Sequence, residues 1–208
     1  MRVVGIDAGY VNFAVCAIDT RQPSRPYYWV NEPLFTGQFS EERLVHAIYD
    51  WIKKDEIKEL LDNADVIVLE RQMAMKFQAV NHCIRFLYFA KTVEYNTMTV
   101  GAYFGFPRER QKKKKAVVEL IGKNVSTLAK KGKKDDLADA YSLAIYHAFT
   151  KNLVSKEGWW IDGVSGTQSS GRRKRETRDL FVETAGRPDS SDIYSKRRII
   201  DLASSSDQ

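Results

Sequence analysis

The chain has only two cysteines among its 208 residues, Cys16 and Cys83. Both lie in apolar contexts without metal-ligand spacing, which excludes a disulfide scaffold and a thiolate zinc site and leaves buried, reduced thiols as the expectation. No apolar run approaches the roughly 20 residues that cross a bilayer. Met1 to Ile6 passes straight into a strand pattern, without the basic start, hydrophobic stretch or small-residue cleavage site of a secretory signal. The expectation is a soluble protein that stays inside the cell, with no membrane partner. His46, His82 and His147 are scattered and read as structural or surface residues. There are no internal repeats.

What is present is a core and a localised charge. The hydrophobic fraction of 43% suffices for one globular domain. The net charge is +6, and eleven basic residues against two acidic ones fall between Arg108 and Lys134. That stretch carries +9 and leaves the rest of the chain at −3. Basic excess gathered in one segment is the footprint of a polyanionic partner.

Strand patterns run over 2–7, 13–19 and 27–31, the first two joined as a hairpin across the turn signal at Ala8 to Asn12. Ser40, Glu41 and Glu42 open a helix whose apolar residues, from Leu44 to Leu61, recur at helical spacing through about residue 62. Asp-Val-Ile-Val-Leu-Glu at 65–70 is a β-branched run suited to a strand buried on both faces. A helix is expected over 75–95 with two apolar stripes: Phe77, Val80, Ile84 and Leu87, then Ala79, Cys83, Phe86 and Ala90. Such a helix is covered on two sides, by its own sheet and by another subunit. Further expectations are a strand at 97–104, a short helix near 116–122 and a last helix from Asp135 to Phe149. Beyond about residue 155 the pattern dissolves into a polar, mostly disordered tail with a short helix near 176–184. This order describes an α/β fold with a mixed sheet.

Four acids stand where acids are unusual. Asp7 and Glu70 end apolar strands, and Asp136 and Asp139 share one face of the last helix. Carboxylates among buried apolar residues need their charge compensated, and a divalent cation does so. Oxygen ligands without cysteine favour Mg2+ or Mn2+. Phosphodiester hydrolysis with two ions about 3.5–4 Å apart needs a bridging carboxylate and others outside it, and Asp7 is the candidate bridge. Asp135 is read as a helix cap.

Three stretches then resemble a known family. Gly5-Ile6-Asp7-Ala8-Gly9-Tyr10-Val11-Asn12-Phe13-Ala14 is similar to the first motif of RuvC-like resolvases, and Val66-Ile67-Val68-Leu69-Glu70-Arg71-Gln72 to the second. Lys134-Asp135-Asp136-Leu137-Ala138-Asp139-Ala140 is similar to the third. The Leu-Glu-Arg-Gln form and the run from Arg108 through Lys115 resemble the poxvirus branch, which suggests a viral source and a host-cell cytoplasm. The resemblance covers about residues 2–150 and implies a ribonuclease-H-like nuclease domain over 1–154, followed by the tail at 155–208. It also implies a homodimer, packed through the helix at 75–95, that resolves four-way DNA junctions by paired symmetric nicks. Asp7, Glu70, Asp136 and Asp139 are its catalytic acids and metal ligands, for two Mg2+ ions that Mn2+ replaces.

Arg110, Lys112, Lys113, Lys114, Lys115, Lys133 and Lys134 flank the last helix and are expected to contact DNA phosphates. Tyr10, Tyr103, Phe104 and Phe106 are candidates for stacking on unpaired bases. Three other functions compete: a nuclease of the same fold acting on RNA–DNA hybrids or RNA, an actin-like ATPase, and a nonenzymatic DNA-binding module. The second lacks its further Gly-rich phosphate loop, and the third conflicts with an intact set of four acids.

Overall fold

The computed structural model describes residues 1–9, 12–34, 36–73, 75–125 and 134–156. The expected tail from residue 157 onward, with its short helix, lies outside them, as do Tyr10, Val11 and Lys133.

Alternation along the strands organises the molecule. In β1 (Arg2–Ala8), Val4, Ile6 and Ala8 enter one buried cluster, while Val3 enters the other. Successive residues of a strand point to opposite faces, so Val3, Gly5 and Asp7 share the second face. β2 (Phe13–Asp19) pairs antiparallel with β1, and β3 (Tyr28–Glu32) antiparallel with β2. On the other flank, β4 (Val66–Glu70) runs parallel to β1, and β5 (Thr92–Tyr95) parallel to β4. The five-stranded mixed sheet therefore has the order β3-β2-β1-β4-β5.

The first face is covered by α1 (Glu41–Lys53), α2 (Asp55–Asp62) and α3 (Met75–Leu87). The apolar pattern expected as one helix is two, broken at Lys54, where ψ is 129°. Ser40 caps α1 by accepting the Arg43 N–H, and Leu44, Ile48, Trp51 and Ile52 are its buried stripe. The second face is covered by α4 (Thr97–Tyr103), α5 (Arg110–Asn124) and α6 (Lys134–Thr150).

Two expectations fail between residues 75 and 104. The helix expected to 95 stops at Leu87, and a 3-10 turn at Phe89–Lys91 leads into β5. The strand expected at 97–104 is α4, because Asn96 accepts the Met98 N–H and turns the chain into a helix despite the β-branched residues that follow. The β-branched run that does pair lies five residues earlier, at Thr92 and Val93. The short helix expected near 116–122 begins at Arg110 and takes in the whole lysine run.

At Gly5, β1 and α6 approach each other closely. A Cβ on Gly5 would lie 2.1 Å from the Ala140 carbonyl oxygen and 3.0 Å from the Ala144 nitrogen, both backbone atoms. Glycine is needed there for space, and it seats α6 directly on the central strand. Among the described residues no helix is long and apolar enough to cross a membrane.

Candidate active site

The seat of α6 decides where its acids go. Asp7, one residue before the end of β1, and Glu70, the last of β4, follow the last paired residues of these parallel neighbours, Ile6 and Leu69, so both carboxylates emerge at the same edge. Alternation puts them on the same face: Ile67 and Leu69 enter the first-face cluster, while Val68 enters the second. That edge, at the carboxyl ends of parallel strands, is the usual place for a ligand site in α/β folds. Two residues beyond the contact at Gly5, Asp7 meets the first turns of α6, which carry Asp136 and Asp139.

The four carboxylates feel one another. The Asp7 carboxyl is held well above its ordinary value, first by burial, then by the charge of Glu70 and a hydrogen bond with it, then by Asp139 and Asp136. Asp139 is pushed up to about 6. Burial is the main cause; Glu70 and Asp136 add to it, and the lysines Lys113 and Lys114 oppose it. Asp136 is buried, and its Oδ2 accepts from Asn31 Nδ2 at 3.3 Å. Asn31 stands opposite Ala14 in the sheet and so shares this face.

The lysine run divides. Lys113 Nζ lies 4.0 Å from Asp139 Oδ1, with its side chain 23% exposed. Lys114 pairs with Asp135. Lys112 pairs with Glu109 at 2.7 Å on the open side of α5, where Arg110 and Lys115 are also exposed. The seven basic residues expected to act alike on DNA are therefore not alike: Lys113 and Lys114 lean over the acids, while Arg110, Lys112 and Lys115 face outward. Lys134 opens α6.

Asp135, expected as the cap of the last helix, stands just within its start, in the first turn of α6. Burial raises its carboxyl, but the Lys114 hydrogen bond and backbone amides outweigh burial and leave it lowered. Of the aromatics expected to stack on bases, Tyr103 is exposed, whereas the other two described ones are covered. Phe104 is buried and Phe106 partly so, and Tyr103 and Phe104 stand edge to face at 5.2 Å within a cluster completed by Tyr146 and Phe149. His147 is buried beneath the same face and bonds Tyr95 Oη at 2.9 Å, whereas His46 and His82 are exposed. Cys16 is buried and Cys83 partly so, both as free thiols.

Among the described residues no group of three or more His, Cys, Asp or Glu side chains stands ready-formed as a metal cage. The chemistry of the donor set still fits a hard divalent cation. Burial and the neighbouring carboxylates raise the proton affinity of Asp7 and Asp139, and Lys113 Nζ stands beside Asp139. A cation relieves that repulsion where protons otherwise must. A cavity of about 750 Å³ opens elsewhere, among Arg2, Arg21, Arg25, Tyr27 and Glu59, and none of the four acids lines it.

Asn31, Gln72, Thr97 and the inward turn of Lys113 were not anticipated as parts of the site. Gln72 lies in one of the quoted motifs, but single neutral residues carry no periodic signal.

The family model for the poxvirus A22 protein matches residues 1–151. No curated protein sequence matches the chain. The fold is similar to Thermus thermophilus RuvC, with TM-score 0.55 and 17% identity over 74% of this chain and 96% of that one. It is also similar to the fowlpox virus Holliday junction resolvase, with TM-score 0.51 and 15% identity over 73% of this chain and 99% of that one. For the yeast mitochondrial Holliday junction resolvase the TM-score is 0.50 and the identity 19%, over 73% of this chain and 86% of that one. The fold is thus ribonuclease-H-like, as expected.

Proposed function

The chain belongs to the poxvirus A22 protein family, and on that premise we propose that it is a metal-dependent endodeoxyribonuclease that resolves four-way DNA junctions inside the host cell. The observation that carries this reading is the convergence of Asp7, Glu70, Asp136 and Asp139 at one edge of the sheet, with Asp7 and Asp139 raised by burial and by their acidic neighbours. The nuclease is assigned to residues 1–154, with 155–208 as its tail. Two solved relatives of the same fold, RuvC and the fowlpox resolvase, are described as complexes with Holliday junction substrate.

The four acids would hold Mg2+ or Mn2+, two ions per site, with Asp7 as the shared ligand because it is central in both the sheet and the acid cluster. When bound, the ions supply activation of a water and stabilisation of the leaving oxygen. Asn31 holds the Asp136 carboxylate, and Lys113 places positive charge beside Asp139, where a scissile phosphate has to approach. Arg110, Lys112 and Lys115 would track phosphates along an arm, and with Lys133 and Lys134 would make binding steeply salt-dependent.

A two-fold dimer suits paired symmetric nicks. Phe86, Leu87 and Phe89, exposed by 85%, 49% and 75%, lie at the end of α3 and in the turn after it and support a dimer through this segment. The test is incubation with a labelled immobile four-way junction and magnesium, with an RNA–DNA hybrid of matched sequence beside it. Symmetric nicks in the junction are expected; cleavage of the hybrid alone would replace this reading with that of a hybrid nuclease.

A further inference from the structure

Both oxygens of the Glu70 carboxylate are held by neutral donors. Thr97 Oγ1 donates to Oε1, and Gln72 Nε2 donates to Oε2 at 3.0 Å. The donors are themselves anchored. The Gln72 carbonyl accepts from Gln78 Nε2 at 3.2 Å. Thr97 is the first residue of α4, whose start is fixed by the Asn96 cap at 2.8 Å. The root of Glu70 is held too, because its carbonyl accepts from Asn81 Nδ2 at 2.8 Å and Asn81 is only 2% exposed.

A glutamate at a strand end has three side-chain torsions to order before its carboxylate faces one direction, and that ordering opposes binding. Two anchored donors remove this freedom in advance. A carboxylate oxygen has two lone-pair sites, so these two bonds leave one on each oxygen, of which the Asp7 carboxyl takes one when it carries a proton. Neutral donors also leave the full negative charge in place. Asp139 differs, since an ammonium approaches it.

We infer that Thr97 and Gln72 are positioning residues that lock the Glu70 carboxylate in the orientation in which it takes a divalent cation. The inference rests on the reading of Glu70 as a metal ligand. Outer partners of metal ligands typically carry about 10- to 100-fold in metal affinity.

The test is titration of the full chain with Mn2+ in the absence of DNA, for the parent, Glu70→Gln, Thr97→Val, Thr97→Ser and Gln72→Leu. Thr97→Val and Gln72→Leu should each weaken Mn2+ binding by about 10- to 100-fold. Thr97→Ser keeps the hydroxyl and should bind like the parent. Junction affinity in chelator, a property of the phosphate contacts, should be the same for all five proteins. Parent-like Mn2+ affinity in both Thr97→Val and Gln72→Leu would overturn the inference, as would equal weakening by Thr97→Val and Thr97→Ser. Should Thr97→Val fail to fold, Gln72→Leu decides by the same criterion. A separate outcome strikes the underlying reading: if Glu70→Gln binds Mn2+ as tightly as the parent, Glu70 is no ligand and the clamp has nothing to position.

Discussion

The two faces of the sheet are built from alternate residues of the same strands, yet they do different work. The face under α1, α2 and α3 is dry: Val4, Ile6, Leu44, Ile48 and Trp51 fill it, and Phe13 and Trp51 meet edge to face at 4.7 Å. The face under α4, α5 and α6 has an apolar core of its own, but at the carboxyl edge it carries Asp7, Glu70, Asn31, Asp136 and Asp139. One face holds the fold together, and the other accepts an unfavourable concentration of charge at its edge. The stability of the first face allows the second to keep Asp7 and Asp139, whose proton affinity burial and neighbouring carboxylates raise.

The sharpest way to break this contrast is to remove the acids. Asp7→Asn, Glu70→Gln, Asp136→Asn and Asp139→Asn should each abolish junction cleavage while leaving junction binding and folding intact, as read by nicking and gel-shift assays. Near-normal cleavage by any of them would take that residue out of the site. Next in size is the dry face. Trp51→Ala empties a buried aromatic site and should lower stability by about 3–5 kcal/mol, with cleavage per folded molecule unchanged. Chemical denaturation measures the first, and activity corrected for the folded fraction measures the second. Trp51→Phe should be milder, because the indole N–H of Trp51 is buried with no partner among the described residues.

Gly5→Ala probes the seam between the two functions. Its new methyl meets the α6 backbone, so overpacking of about 1–3 kcal/mol is expected. Cleavage should fall as well, since α6 must move and takes Asp136 and Asp139 with it. A normal melt with normal cleavage would show that the close approach at Gly5 is not needed.

The smallest effect concerns pH. The Asp139 carboxyl rises from 3.8 to about 6 on folding, so between those values the folded chain binds more protons than the unfolded one. Its penalty on stability is absent below about 3.8 and complete above about 6. Asp139→Asn removes that penalty. Without metal, the variant should be more stable than the parent by about 1–3 kcal/mol at neutral pH, with the advantage vanishing as pH falls toward the lower value. Equal stability at neutral pH would show that the acids do not strain the fold.

Much of this was legible before folding. An acid at the end of an apolar strand is an anomaly that a linear pattern displays, and Asp136 and Asp139 share a face at helical spacing, so the four carboxylates and the core strands could be read directly. The boundaries around β5 could not. Thr-Met-Thr-Val at 97–100 has strand character, but an Asn96 cap and the pairing of Thr92 with Ile67 outweigh propensity. The lysine run shows why charge alone misleads. Lys112 to Lys115 are identical in sequence terms, and only the packing of α5 beside α6 separates the pair that turns over the acids from the pair that faces water. The partners of the acids were hidden for the same reason. Asn31 is 105 residues from Asp136, and Thr97 is 27 from Glu70. Periodicity reports what a residue has for neighbours along the chain, whereas a hydrogen bond between distant elements exists only once the sheet register and the helix seats are set.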